Sequence, residues 1–374
     1  MRNLDKIKGC LIGGAVGDAL GYPVEFLEDF QIFERYGQRG ITDYALTDGV
    51  AQISDDTQMT LFTATALLFG KTRAMTRGIC NLLQYVNGSY INWYMTQFPD
   101  ATFMDQQRFS WLLNVKELYS RRAPGNTCLS AIHASMRTGS MFSINNPANK
   151  SKGCGGVMRV APIGLYANMS DCSDYLLQTL GAEAAALTHG HPLGYIPAAA
   201  LVHIICRLAG EEGISITDAV ESSIVAIGRM FEDNEYLPDF ISLMLRAMEL
   251  ASDREVDELD AIRELGQGWV AEEALAISVY CAIRHEDSFE DGVIAAVNHS
   301  GDSDSTGAIT GNILGAHLGF SAIPNKYITD LELADVISEI AEDMYHDCPL
   351  TQFSPIDDPT WSAKYIDMTY EPTK

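Results

Sequence analysis

The chain has 374 residues, 50 acidic against 25 basic side chains, and a net charge of −25. Its 47% hydrophobic and 20% charged composition excludes intrinsic disorder as the main state. Nucleic acid is excluded as the main partner, because a phosphate backbone needs a basic face and the nearest basic cluster is only Arg121-Arg122.

Arg2, Lys6 and Lys8 precede the apolar stretch Cys10–Val16, loosely like a signal peptide, but Asp18 cuts that stretch short and no leader is expected. Gly13, Gly17 and Gly21 fall at i, i+4 and i+8, followed by Glu25. Each glycine weakens a helix by about 1 kcal/mol against alanine, so the run needs a reason. Close packing and an approaching ligand both supply one. Gln31–Asp48 lacks periodicity and reads as a surface loop, as do Pro99–Phe109 and Thr138–Lys152. Ser54-Asp55-Asp56-Thr57 stands just before the breaker-free run Met59–Leu68, and its plain reading is a helix N-cap.

Gly153-Cys154-Gly155-Gly156-Val157-Met158-Arg159 is either a glycine turn or an anion-cradling nest. It lacks the Lys-Ser/Thr ending and the preceding strand of a nucleotide-binding loop. His189-Gly-His191 has no third histidine or cysteine at metal spacing, so a hydrogen-bonding or stacking role in a turn is expected. Leu193–Cys206 is the longest apolar run, shorter than the roughly 20 residues of a membrane span. Within it Ala198–Leu208 reads as a helix with Pro197 in its first turn. Asp218–Phe231, Phe240–Leu250, Ala271–Arg284, Asp291–Val297 and Leu331–Met344 also read as helices.

Asp302 and Asp304, with Ser303, Ser305 and Thr306 around them, form a hard-oxygen cluster suited to Mg²⁺, Mn²⁺ or Ca²⁺ and not to zinc. The alternative is a cap before the helix Ala308–Leu318, which explains one acid better than two. The eight cysteines contain no CxxC pair and read as free buried thiols of a reducing cytoplasm. An all-α chain follows: one compact multi-helix domain over 1–348, with a proline-bearing tail over 349–374 packed on the surface or frayed. No membrane partner is expected.

In this order, Gly-Asp-Ala-Leu-Gly, Ser-Asp-Asp-Thr, Gly-Cys-Gly-Gly-Val-Met-Arg, Leu-Thr-His and Gly-Asp-Ser-Asp-Ser resemble the ADP-ribosylglycohydrolase family from about Ile7 to Leu318. The resemblance implies an all-α domain that holds two divalent cations, Mg²⁺ or Mn²⁺, and removes ADP-ribose from a modified protein. It places the metal ligands on Ser54, Asp55, Asp56, Asp302, Asp304 and Ser305, with serine at Ser54 and Ser305 where the family carries threonine. It places the catalytic carboxylates among Glu25, Asp55, Asp56 and Asp302. Substrate contacts fall on Asp18, on Gly153, Cys154, Gly155, Gly156, Val157 and Met158, and on His189. Cys154 stands where several relatives carry asparagine. Likeness to the arginine-directed and bacterial members favours an arginine linkage. The alternatives are a serine linkage, O-acetyl-ADP-ribose, or an immunity protein that binds an ADP-ribosylating toxin.

Overall fold

The computed structural model describes residues 3–101, 106–166, 173–353 and 357–372. Parts of the expected Pro99–Phe109 loop, Cys172 and Pro355 of the tail lie outside them. The chain runs through α1 (Leu4–Gly21), α2 (Asp29–Tyr36), α3 (Asp55–Arg77), α4 (Leu82–Gln97), α5 (Asn126–Thr138) and α6 (Ala161–Tyr166). There follow α7 (Asp174–Ala186), α8 (Pro192–Gly210), α9 (Ile216–Met230), α10 (Leu237–Ser252) and α11 (Glu258–Leu265). The series closes with α12 (Ala271–Arg284), α13 (Phe289–Val297), α14 (Ser303–Leu318), α15 (Asn325–Thr329), α16 (Ala334–His346) and α17 (Pro359–Tyr365). Among the described residues there is no β-strand, only isolated bridges, so the all-α expectation holds.

The glycine run is explained by one helix pair. Along α1, a Cβ added at Gly9, Gly13, Gly17 or Gly21 would collide with the backbone carbonyl of Gly315, Gly311, Gly307 or Ser303 on α14. The partners' numbers fall as the first set rises, so the helices run antiparallel with their backbones in contact. Such an approach needs small residues at every fourth position on both sides. Asn312 closes the seam by donating its Nδ2–H to the carbonyl of Cys10 at 2.7 Å. The C-terminal end of α1, with Asp18 and Glu25, is thereby held against the N-terminal end of α14, with Asp302 and Asp304.

The expected loop Gln31–Asp48 is corrected: it begins inside α2. That helix has eight residues and buries only Ile32, too little to make a period visible. It is fixed instead by a capping box between Glu28 and Gln31. Pro197 is not in a first turn, because α8 starts at Pro192 and Pro197 lies inside it. The apolar run was also read too short. α8 spans 19 residues, enough in length and composition to cross a membrane, and 83% of its most apolar stretch is buried within the protein. The tail forms α17 on the surface of α3, where Trp361 donates its indole N–H to Thr72 Oγ1 at 2.9 Å. Cys10, Cys128, Cys281 and Cys348 are buried and carry no disulfide.

Candidate functional site: a buried carboxylate cluster beneath a cleft

Three chain turns converge where α1 meets α14. Ser54 is the N-cap of α3 and accepts from the Asp56 N–H at 3.3 Å. Asp302 is the N-cap of α14 and accepts from the Ser305 N–H at 3.3 Å. Both sequence motifs therefore do cap helices. Capping does not use every oxygen of the two motifs: Asp56 Oδ1 is left without a protein donor.

The residue below them is Asp18. Its carboxylate accepts from the backbone N–H of Ser54 at 3.0 Å and of Thr57 at 3.1 Å, and from the Thr57 hydroxyl. It is fully buried and does not line the cleft. The expectation of a substrate contact at Asp18 thus gives way to a positioning role: it fixes the first turn of α3. Arg122 fixes the same turn from the other side, donating to Ile53 O at 2.9 Å and pairing with Glu332. Arg122, one of the two residues of the basic pair, is thus engaged in holding structure.

Above this floor lies a cleft of about 370 Å³, within the range of small-molecule sites. Glu25, Asp55, Asp56, Asp302, Asp304 and Ser305 line it, as do Gly153, Cys154, Gly155, Met158 and His189. Gly156 and Val157 do not. Both are buried behind the turn, where a Cβ on Gly156 would stand 3.0 Å from Gly194 O. Sequence reasoning missed Phe26, Trp269, Asn126, Thr127 and Cys128, which also line the cleft. The signal for Trp269 was Gly266-Gln-Gly268 just before it. Those glycines have φ of +130° and +82°, and the turn they make lets Gln267 O accept from the Asp302 N–H at 2.8 Å.

The electrostatics are unusual. Asp18, Glu25, Asp55, Asp56, Asp302 and Asp304 are all buried. Burial, first, and the neighbouring negative charges push Asp18 up to about 7 and Glu25 to about 11. Asp55, Asp56 and Asp304 are pushed well above the carboxylate range by burial and then by the other acids. Burial also raises Asp302, against several hydrogen bonds that lower it, one of them from the Cys154 thiol at 2.7 Å. Carboxylate oxygens of Glu25, Asp302 and Asp304 lie within 4.8 Å of one another. At that separation each ionised pair repels by roughly 3 kcal/mol at an effective dielectric of about 20.

Two oxygens in the cluster, Glu25 Oε2 and Asp56 Oδ1, are buried with no hydrogen-bond partner. Buried carboxylate oxygens without donors are costly unless a proton or a cation meets them. The donor set is all hard oxygen, which fits a divalent cation of the Mg²⁺ or Mn²⁺ type. Glu25 belongs geometrically to this set, although the resemblance gave it a catalytic and not a ligand role.

The far wall is built on a buried cation. Arg159 is fully buried and stacks 4.2 Å from the Tyr90 ring centroid. It donates to Ala184 O at 3.1 Å and to Thr188 Oγ1 at 2.6 Å. Thr188 in turn bonds His189 Nδ1 at 2.8 Å. Burial and the Arg159 charge hold His189 down to about 3, so the ring is neutral at physiological pH. Its Nε2 edge faces the glycine turn, 3.3 Å from where a Cβ on Gly153 would stand. Any larger residue at Gly153 or Gly155 would fill the space between this ring and the cleft. The cleft can therefore hold a ligand against neutral donors on one wall and acids on the other.

Residues 1–352 match the family model described as ADP-ribosylglycohydrolase. The chain is 25% identical to the ADP-ribosyl-[dinitrogen reductase] glycohydrolase of Rhodospirillum rubrum over 88% of this chain and 91% of that one. It is 24% identical to the ADP-ribosylarginine hydrolase Tri1 of Serratia proteamaculans, over 94% of this chain and 82% of the relative. A solved structure titled ADP-ribosylglycohydrolase-related protein complex superimposes with a TM-score of 0.62 at 24% identity, covering 92% of this chain and 98% of the other. That likeness shows the fold.

Proposed function

The chain belongs to the ADP-ribosylglycohydrolase family, and on that premise we propose that it is a divalent-metal-dependent hydrolase releasing ADP-ribose from modified arginine side chains. The observation that carries the reading is the buried carboxylate cluster with two unpartnered oxygens under the cleft. Ser54, Asp55, Asp56, Asp302, Asp304 and Ser305 would hold the cations, with Glu25 at their edge. When bound, they supply positive charge to ribose hydroxyls and make a water more acidic.

The chain's own residues do the rest. Breaking the bond at the ribose C1 carbon passes through a cation-like centre, which the carboxylate wall stabilises. With Asp56 given to the cations, Glu25 at their edge is the carboxylate that takes the proton of the attacking water and passes it to the departing guanidine nitrogen. Gly153 and Gly155 let the main chain approach the pyrophosphate without a side chain between, while the Cys154 thiol turns to Asp302. His189, neutral and fixed through Thr188 and Arg159, offers a ring edge on the same wall. Asp18 and Arg122 hold the first turn of α3 in place while this happens.

The linkage is tested by supplying matched arginine- and serine-linked ADP-ribosyl peptides with saturating Mg²⁺ and measuring free ADP-ribose. Release from the arginine-linked peptide is expected. Release only from the serine-linked one would transfer the activity to that bond.

A second readout needs no turnover. The raised carboxylates bind protons in the folded chain that the unfolded chain has released. Their stabilising contribution is therefore complete below about pH 4, the ordinary carboxylate value, and is lost as pH rises, through about 7 for Asp18. In EDTA, the melting temperature should be lower at pH 8 than at pH 5.5. Mg²⁺ should raise it more at pH 8, because cations bind the deprotonated groups. A melting temperature that rises with pH in EDTA and ignores Mg²⁺ would count against a cation-holding cluster.

A further inference from the structure

The mouth of the cleft carries two aromatic rings that the chemistry above does not use. Phe26 and Trp269 stack with ring centroids 5.8 Å apart and planes 18° from parallel. Both line the cleft, and both are exposed, by 73% and 39%. Phe26 directly follows Glu25. The main chain at Trp269 is clamped to the glycine turn: its carbonyl accepts from the Cys154 N–H at 3.3 Å, and the next two residues continue the pairing, Val270 with Gly153 and Ala271 N–H to Lys152 O at 2.8 Å. The indole is therefore held between the glycine wall and the carboxylate wall while its ring stays in water. Large rings left exposed at a cleft mouth mark a binding surface more often than a packing one.

The chemistry of the rings selects their ligand, since cations at the cluster would offset most of the carboxylate charge beneath them. Among the described residues lining the cleft there are five carboxylates and no lysine or arginine. The chain as a whole carries −25. Aromatic faces attract cations, tryptophan best, and the guanidinium plane stacks on them better than a compact ammonium does.

We propose that Phe26 and Trp269 form the acceptor-side recognition site, on which the guanidinium plane of an ADP-ribosylated arginine stacks. The proposal rests on the hydrolase reading above and deepens it by assigning residues to the linkage. A guanidinium substituted at one nitrogen remains planar and cationic. A serine glycosidic oxygen or an acetyl ester carries no charge, and gains from these rings only apolar contact.

The test uses the full-length, metal-loaded chain with Trp269→Ala, Trp269→Phe and Phe26→Ala. Steady-state release is measured on arginine- and serine-linked peptides of the same sequence, and ADP-ribose binding by calorimetry. Trp269→Ala should raise KM for the arginine-linked peptide by about tenfold, as expected for loss of a partly desolvated cation–π contact. The kcat should stay within about twofold. Trp269→Phe should recover most of the loss, Phe26→Ala should show a smaller one, and the Kd for ADP-ribose should not change. An unchanged KM on the arginine-linked peptide, or an equal loss on both peptides, would overturn the role of the pair and leave the hydrolase reading standing. A wild type that prefers the serine-linked peptide would overturn the pair's assignment to guanidinium. No release by the wild type from either peptide would overturn the hydrolase reading itself.

Discussion

Asp302→Asn is expected to reduce ADP-ribose release by about a thousandfold while the chain stays folded. The substitution keeps the shape of the side chain and an oxygen for the Ser305 N–H, so the cap of α14 survives. It removes one negative charge from a cluster in which six buried carboxylates crowd together. A cation held there contributes several kcal/mol to stabilising charge in the transition state. A loss of about 4 kcal/mol corresponds to about a thousandfold in rate. In EDTA the same change should leave the melting temperature equal to or above that of the wild type, because it relieves repulsion at Glu25 and Asp304. Both readouts are needed. Lost activity with a fallen melting temperature in EDTA would indicate damage to the fold and not to the cluster.

Gly17→Ala is expected to destabilise the chain although alanine is the better helix former. Helix propensity alone favours alanine by about 1 kcal/mol. The added Cβ, however, collides with the carbonyl of Gly307 across the α1–α14 seam. Backbone cannot rotate away as a side chain can, so overpacking of about 3 kcal/mol outweighs the propensity gain. The net loss of about 2 kcal/mol should lower the melting temperature by about 2.5 °C. Activity should fall as well, since Asp18 and Glu25 follow Gly17 toward the cluster. Gly228→Ala on α9 is the matched control. There a Cβ meets only Ile241 Cδ1 at 3.8 Å, so the propensity gain should appear as a small rise. Equal effects at the two glycines would contradict a backbone-to-backbone seam.

These expectations depend on parts of the molecule that differ in how plainly the sequence declares them. The longer helices were legible from periodicity, though their ends were set by caps that periodicity does not register: α3 begins at Asp55 and ends at Arg77, well beyond Met59–Leu68. Short α2 was invisible because one buried residue makes no period. The glycines of α1 were legible as a close approach, but their partners on α14 were not, since a single chain pattern does not say which helix faces which. That the separate acidic motifs meet in one cluster was legible only through a family resemblance. Taken singly, Ser54-Asp55-Asp56 reads as a helix cap and Asp302-Ser-Asp304 as a hard-oxygen cluster or a cap, and in the structure both motifs cap helices. Asp18 was misplaced because a buried acid that holds backbone N–H groups and one that meets a ligand look alike in sequence. Phe26 carried no motif, and Trp269 only the glycines Gly266 and Gly268 before it. Their stacking comes from two loops brought together by the α1–α14 seam and the Gly153 turn.

The measurement that bears most directly on the buried cluster is a titration of Mn²⁺ into the EDTA-stripped chain, with bound metal and ADP-ribose release followed on the same samples at pH 7.5. Release from an arginine-linked substrate should be absent at the start, rise in step with bound Mn²⁺, and level off as the cluster fills. The Asp302→Asn chain should bind less metal and stay inactive throughout. Full release by the stripped chain, or metal bound at Asp302 with no release from any ADP-ribosylated substrate, would contradict a metal-dependent glycohydrolase.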